Sequence, residues 1–432
     1  MTSYSKYFKI VTENANCADF VHCGDTCMEM LRWNAINYLY GCCKYIAPIS
    51  VIPILLKFRE LNVELIKQCS KKFLEYSAAA WLMSVTGLSF MCVYHKLLGK
   101  FYMWSILAIP AASGALICTL ICSNRLILMF SRGLSTMVTE AIIKLYADHN
   151  VVLRLLRDST SALTVAFMVA NTSIIYALRQ IKSDVFWFIQ PFKTGKNFVP
   201  FEQIASPVVD RILPADRHYC QHKNSCDTFL KQEIFNYLKI GIGIEFGRIL
   251  LGNIKDIVQQ PLKFFVFEFL KKIKLNFICF LTGYAGIYRI LTCLLTRFYK
   301  EDCPQIHLIS SFISGIAFYA YPQLSLFGHA FATAVELLWT LYSSDHPKKT
   351  HSRWSWSMMT ALKRISWSRV IYPTFFGYLC YLRPFYPWAT PKMMMSILRG
   401  VTLNRETRIM KEYCNRLLKH SDPNVLYLFG RM

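Results

Sequence analysis

The sequence predicts an all-α, polytopic membrane protein, and three charge-free stretches are the main reason. Residues 76–94, 101–124 and 159–178 contain no Asp, Glu, Lys or Arg. Each stretch is close to the roughly 20 residues that a helix needs to cross about 30 Å of hydrocarbon. A helix of a soluble core rarely keeps so many consecutive uncharged positions, because one of its faces must meet water.

The overall composition supports a membrane location. Apolar residues make up 54% of the 432-residue chain, yet its formal net charge is +23. Together these values indicate basic loops that face anionic lipid headgroups. No nucleic-acid-binding motif accompanies the basic residues, so the expected partners are membrane lipids and not nucleic acid. The N-terminal residues lack the apolar segment of a cleaved signal peptide, and we expect internal spans to direct insertion.

The first half of the chain divides into a head and a membrane bundle. Residues 1–40 form a head that contains cysteines, and residues 41–180 form the first bundle. The bundle begins with an apolar segment broken by Pro48 and Pro53, which predicts a kinked or re-entrant helix. The short turn between the first two charge-free stretches predicts a hairpin of spans. Residues 125–157 are predicted to be a loop with helical character, ahead of the third span.

The second half is less uniformly apolar. Residues 181–231 form a polar linker that contains proline, cysteine and histidine. Residues 232–390 are predicted to be a second membrane bundle, and the charges of its first helix place that helix on the membrane interface. Residues 304–335 predict two shorter helices because glycine and proline interrupt them. Residues 391–432 form an amphipathic basic tail. About six spans are expected in all, and no internal repeat is evident.

A basic connector between the first apolar segment and the first long span is a candidate binding surface. Its cations are Lys57, Arg59, Lys67, Lys71 and Lys72. Clustered basic residues next to a span are typical of segments that bind anionic headgroups.

Cys220, His222 and Cys226 in the linker are the best candidates for a metal site. Thiolate and imidazole are zinc ligands, and a fourth ligand could come from the group Cys17, His22, Cys23 and Cys27 in the head. The alternative is that these thiols are unligated or sensitive to oxidation. Cysteines inside the apolar runs are interpreted as small buried side chains, and they are Cys92, Cys118, Cys122, Cys279 and Cys293.

Arg289 and Glu336 are ionisable residues set well into otherwise apolar helices. A charge at membrane depth costs several kcal/mol unless it is paired or hydrated. One hypothesis is that the two residues form an ion pair between neighbouring helices. The other is that each lies near a helix end and extends to water.

Gly283, Gly286 and Gly315 predict close helix packing, because small residues let helices approach each other in lipid. The sequence also contains no recognised catalytic motif. The chain contains no G-x-S-x-G, H-E-x-x-H or P-loop motif, and these are the patterns that hydrolases, metalloproteases and nucleotidases show. We therefore expect a protein that is not an enzyme.

Several short motifs occur in a fixed order along nearly the whole chain. They are Tyr45-Ile46-Ala47-Pro48 after the head, Leu98-Gly99-Lys100-Phe101-Tyr102 with Trp104, Arg132-Gly133-Leu134 with Thr139-Glu140, the Cys220/His222/Cys226 group ahead of residues 283–288, Leu382-Arg383-Pro384 with Tyr386, and Asn404-Arg405. In this order they resemble the transmembrane protein 135 family, which comprises multi-pass proteins of peroxisomes and mitochondria. The second half is also distantly similar to the four-helix, glycine-containing channel subunits of mitochondrial protein import.

The resemblance implies a location in the peroxisomal and mitochondrial membranes. It also implies a role in mitochondrial fission, peroxisome organisation and lipid homeostasis, without supplying catalytic residues. On this interpretation the basic loops recruit a dynamin-type fission GTPase or bind anionic lipid. Two other classes stay open: a transporter or lipid-moving protein with Arg289 and Glu336 along a polar path, and an acyl or redox enzyme that uses the Cys/His group.

Overall fold

The chain is all-α in the computed structural model, which confirms the predicted fold class. No strand occurs among the residues that the structure describes. Those residues are 8–9, 12, 15–22, 25–56, 62–181, 185–189, 191, 220, 222, 225–252, 269–300, 302–345 and 366–420.

The described residues contain fifteen α-helices. In chain order they are α1 (Cys17–Phe20), α2 (Cys27–Leu56), α3 (Val63–Leu98), α4 (Ala108–Ile121), α5 (Asn124–Tyr146), α6 (Val151–Asp158), α7 (Thr160–Gln180), α8 (Cys226–Gly252), α9 (Phe269–Lys272), α10 (Leu275–Tyr299), α11 (Pro304–Ser314), α12 (Leu324–Asp345), α13 (Trp367–Phe385), α14 (Lys392–Val401) and α15 (Arg405–His420). A 3₁₀ turn, Gly315–Ala320, continues α11.

Local signals explain where the long apolar helices begin and end. At the start of α3 the Asn62 side chain accepts a hydrogen bond from the Leu65 N–H, and Gly99 ends that helix with a φ of 69°. The Ser159 side chain caps α7 by accepting a hydrogen bond from the Ala162 N–H. These caps satisfy backbone groups that a helix end leaves unpaired, and glycine adopts the left-handed conformation without strain.

Within the described part of the chain, five helices are long and apolar enough to cross a membrane. They are α3, α5, α7, α10 and the Leu324–Ser343 part of α12. The predicted spans 76–94 and 159–178 fall within α3 and α7, as expected. The two shorter helices expected within residues 304–335 are also present, as α11 and the first part of α12. The chain is therefore an α-helical membrane protein by the length and composition of its helices.

The predicted span over residues 101–124 is wrong in its extent. The backbone N–H of Tyr102 donates to Ser105 Oγ in a turn, and α4 begins only at Ala108, which makes it too short for a span. The neighbouring segment, expected to be a loop, is instead the apolar helix α5. Its Glu140 and Lys144 pair at 2.5 Å, one turn apart. Because pairing lowers the cost of charge in a bilayer, the absence of charge alone was a poor guide.

The helices form two compact units, and their division differs from the predicted boundaries. One unit contains Met1–Asn150 together with Ser357–Met432, and the other contains Val151–Trp356. Helix α7, expected in the first bundle, belongs to the second unit. Helix α13, expected in the second bundle, belongs to the first unit. The sequence did not reveal this exchange because consecutive spans were assumed to pack together.

In the first unit, α2 packs against α3 and α3 packs against α4, while α13 packs against both α4 and α5. Its largest apolar core forms where α13 meets α4 and α5, around Tyr372, Leu379, Ala115 and Ile127. Close approach is required at Gly377, because a Cβ there would lie 2.7 Å from the carbonyl oxygen of Ala108. The backbones of α13 and α4 therefore pack directly against each other at Gly377.

In the second unit, α8 packs against α10 and α10 packs against α11, while α7 packs against both α11 and α12. The interfacial position expected for α8 stays a prediction. Buried polar groups tie the unit together around α7. The Asn171 side chain donates to the Ser311 carbonyl at 2.6 Å, and the indole N–H of Trp187 donates to the Tyr284 hydroxyl at 2.8 Å. The Tyr284 hydroxyl in turn donates to the Asn171 amide oxygen, so these groups satisfy one another inside the core.

The two units share one packing scheme. Helices α2, α3, α4, α5 and α13 of the first unit correspond in order to α8, α10, α11, α12 and α7 of the second. Of these ten helices, each half of the sequence therefore contributes four to one unit and a fifth to the other. This internal repeat is not evident in the sequence.

Candidate metal centre

The second unit brings the predicted Cys/His residues together at the start of α8. Cys220 and His222 precede the helix, and Cys226 is its first residue. Cys293 of α10 completes the group, and the ligand atoms of all four residues lie within 4.8 Å of one another. The arrangement is therefore a set of three thiols and one imidazole, a combination found in structural zinc sites.

The distances within the set match a tetrahedral zinc site. His222 Nε2 lies 3.4 Å from Cys226 Sγ and 3.6 Å from Cys293 Sγ, and the Sγ atoms of Cys220 and Cys226 are 3.7 Å apart. Zn–S bonds of about 2.3 Å and Zn–N bonds of about 2.0–2.1 Å at tetrahedral angles place ligand atoms about 3.6–3.8 Å apart. A zinc ion fits among these atoms with little movement.

The surroundings orient the ligands and favour negative charge on one thiol. The imidazole of His222 stacks on Phe229, with ring centroids 4.5 Å apart. A hydrogen bond with Cys293 is the main cause that lowers the pKa of the Cys220 thiol. Hydrogen bonds with Cys226 and His222 and the charge of His222 lower this pKa further, while burial opposes them. Burial raises the pKa of the Cys226 thiol. Zinc binds the thiolate form of cysteine, so a lowered thiol pKa in the set favours metal binding.

The fourth ligand differs from the sequence expectation. It is Cys293, which the sequence analysis interpreted as a small buried side chain, and not a residue of the head. Of the head residues, Cys23 lies outside the described residues. A thiol inside an apolar helix gives no sign of its role by its own context, and the fold brings Cys293 to the other three residues.

The structure gives Arg289 a partner other than the predicted Glu336. Arg289 pairs with Glu233 of α8, with Arg289 Nε 3.4 Å from Glu233 Oε2. The guanidinium also lies 5.6 Å from the ring centre of Tyr288 and 5.9 Å from that of Phe229. Glu233 was overlooked because it belongs to the polar first part of α8. The pair joins α8 to α10 close to the candidate metal centre.

The three predicted packing glycines differ in how closely they approach their neighbours. A Cβ at Gly283 or Gly286 would lie 3.5 Å or more from the nearest atom of the neighbouring helix or turn, an ordinary contact distance. A Cβ at Gly315 would lie 2.8 Å from Met168 Cγ and 2.9 Å from Met168 Cα. Of these three glycines, only Gly315 therefore lies so close to its neighbour that a side chain would not fit.

The basic connector is in part a helix. Lys67, Lys71 and Lys72 lie in the first turns of α3 and are exposed. Lys57 and Arg59 lie outside the described residues. The three lysines still form a basic surface, but a helix and not a loop presents it.

A buried polar chain in the second unit was not expected from the sequence. The Tyr288 hydroxyl lies 2.7 Å from His307 Nδ1, and His307 Nε2 lies 2.7 Å from Asp302 Oδ1. Arg179 Nη1 is 3.5 Å from the same carboxylate oxygen. These contacts join α7, α10 and α11, and they hold His307 in the core of the unit.

No family model, curated protein or solved structure matches this chain. Its function is therefore inferred from its own residues.

Proposed function

We propose that the chain is a non-enzymatic, multi-pass protein of peroxisomal and mitochondrial membranes that regulates mitochondrial fission and dynamics, peroxisome organisation and lipid homeostasis. The non-enzymatic part is supported by the absence of catalytic motifs in the sequence, and the closed donor set of Cys220, His222, Cys226 and Cys293 argues against catalysis at this metal. Structural zinc sites use four protein ligands, whereas catalytic sites keep a position open for water or substrate. A zinc ion here would fasten the segment before α8 to α10 and leave no coordination position for chemistry.

The organelle part of the proposal rests on the ordered motifs that resemble the transmembrane protein 135 family. Several of them are at positions with a clear structural role. Gly99 ends α3, and Arg383 pairs with Glu406 at 2.6 Å, where both side chains are largely buried. Arg405 lies over the ring of Trp33, 4.7 Å from its centre. Such residues shape the bundle and dock its C-terminal helix, which suits a protein that acts through its surface.

The surface that would act is basic. Lys67, Lys71 and Lys72 are exposed together at one end of α3, ahead of its apolar part. Lysines near a membrane surface each contribute about 1 kcal/mol to binding anionic lipid. We propose that they bind anionic headgroups or a dynamin-type fission GTPase.

The test is deletion followed by rescue at the endogenous level of expression. We expect a tagged protein on peroxisomes or mitochondria and altered mitochondrial length in deleted cells. Wild-type protein and a Cys279→Ser control should restore morphology, because Cys279 is an exposed thiol of α10 outside the metal centre. Cys226→Ser should not. Confinement to other membranes with normal organelles would contradict the proposal.

A lipid-moving protein is the second candidate, and one observation favours it. An apolar cavity in the first unit lies between α3, α4, α13 and α15, and its lining includes Met83, Phe376 and the ion pair of Arg383 with Glu406. A charged pair at the edge of an apolar cavity suits an amphiphile. This function predicts lipid flux in proteoliposomes that Phe376→Trp reduces by filling the cavity. Absence of flux in the wild-type protein would remove this candidate.

A further inference from the structure

The head of the chain repeats the donor set found in the second unit. Cys17, His22 and Cys27 lie around the start of α2, and Cys92 lies in α3. Their ligand atoms are all within 4.8 Å of one another. We propose that these four residues bind a second zinc ion, separate from the one proposed above.

The local geometry prepares His22 to be a ligand. Its Nε2 lies 3.3 Å from Cys17 Sγ and 2.9 Å from Cys92 Sγ, so thiols surround this nitrogen. Its Nδ1 lies 3.2 Å from the carbonyl oxygen of Asp25, which can only accept a hydrogen bond. Nδ1 is therefore the protonated nitrogen, and the Nε2 lone pair faces the sulfur atoms. Histidines that bind zinc are held in this way by a carbonyl or carboxylate at the other nitrogen.

The two sets occupy equivalent positions in the repeated packing scheme. Cys27 is the first residue of α2, and Cys226 is the first residue of its counterpart α8. Cys92 and Cys293 lie in the last two turns of α3 and α10, the helices that pack against α2 and α8. In both sets a cysteine and a histidine precede the first helix. Accidental clustering of thiols would not reproduce both the donor types and their helix positions.

The charge around the head set fits a zinc site. Three thiolates and one Zn²⁺ carry a net charge of about −1. Arg405 of α15 donates a hydrogen bond to the carbonyl oxygen of His22 at 3.2 Å, and its guanidinium lies 3.5 Å from the Asp25 carboxylate. A cation is therefore fixed beside the loop that contains the ligands. Zinc binding would at the same time hold that loop in the form that α15 contacts.

Metal content of the full-length protein, purified in detergent under reducing conditions, tests the proposal. We expect two zinc ions per chain, one for each donor set. Cys92→Ser should lower the content to one, as should Cys226→Ser, and the double variant should contain none. Cys43→Ser is the matched control, since Cys43 is a half-buried thiol of α2 outside the set, and it should retain both ions.

Two results would overturn the inference. One is a wild-type content of a single zinc ion that Cys92→Ser leaves unchanged. The other is a disulfide between head cysteines, found by mass spectrometry after alkylation without reduction. If the variants fail to fold, titration of the wild-type protein with Co²⁺ replaces them. Absorbance bands of tetrahedral cobalt thiolate that saturate at two equivalents of Co²⁺ support two sites, and saturation at one equivalent contradicts the presence of two.

Discussion

Replacing Gly315 with alanine should destabilise the second unit, because the new methyl group has no space. Its Cβ would lie 2.8 Å from Met168 Cγ and 2.9 Å from Met168 Cα. The Met168 side chain can rotate, but its Cα belongs to the backbone of α7. Relief of the contact therefore requires α7 and the 3₁₀ turn after α11 to move apart, and the Ser311 carbonyl that Asn171 bonds lies in the adjoining turn of α11.

The magnitude follows from two opposing effects. Overpacking in a dense interior costs about 1–3 kcal/mol, while alanine gains up to about 1 kcal/mol over glycine in a helical conformation. Gly283→Ala is the matched control, because its Cβ would lie 3.7 Å from the Ala317 Cβ, an ordinary contact. Both variants receive a similar gain from replacing glycine. The difference between them, about 1–3 kcal/mol, therefore measures the close approach at Gly315.

The assay is unfolding of the purified full-length chain in one detergent, with intrinsic tryptophan fluorescence as the signal. Trp187 is fully buried in the second unit and reports on its core. We expect Gly315→Ala to unfold at lower denaturant than wild type, and Gly283→Ala at an equal or higher concentration. If Gly315→Ala were as stable as Gly283→Ala, the packing of α7 against the 3₁₀ turn would be refuted.

Two further predictions concern the neighbourhood of the candidate metal centre. Cys226→Ser should remove one zinc ion and lower the melting temperature, because the binding free energy of a structural zinc contributes to folding. The control Cys279→Ser should change neither the zinc content nor the melting temperature. Equal melting temperatures of the two variants, measured by differential scanning fluorimetry, would contradict a structural role of the metal. Arg289→Glu should destabilise the protein by about 3–5 kcal/mol because it leaves buried charge unpaired, and adding Glu233→Arg should restore part of the loss in the same assay. Adding Glu336→Arg instead should not, and rescue by that change would restore the original hypothesis.

The sequence predicted the membrane character because the absence of charge over a span-length stretch is a property of the chain itself. It failed where length and charge gave conflicting signals. Residues 101–107 are uncharged yet form turns, so α4 is shorter than expected. Helix α5 contains charged residues yet qualifies as a span, because its charges are few and Glu140 has a partner.

The candidate metal centre was predictable only in its local part. Cys220, His222 and Cys226 are close in sequence and polar in context, so their chemistry was visible. Cys293 and Cys92 lie in apolar helices, where a thiol is an ordinary core residue, and only the fold brings them to the histidines. One sequence signal could have found them: each follows its Cys/His group at a similar separation along the chain.

The exchange of α7 and α13 between the units could not be read from the sequence, since apolar helices carry little information about which neighbour they contact. The partner of Arg289 was missed for a related reason. Glu233 precedes the apolar part of α8, where a carboxylate is ordinary and does not stand out as a buried counter-charge.

X-ray absorption at the zinc edge of the purified protein tests the closed donor set most directly. We expect an average zinc environment of three sulfur atoms at about 2.3 Å and one nitrogen at about 2.0–2.1 Å, with no oxygen ligand. This result would support a structural zinc that leaves no coordination position for catalysis. Fewer sulfur ligands together with a bound water would show an open site, and they would contradict the structural role proposed for the metal.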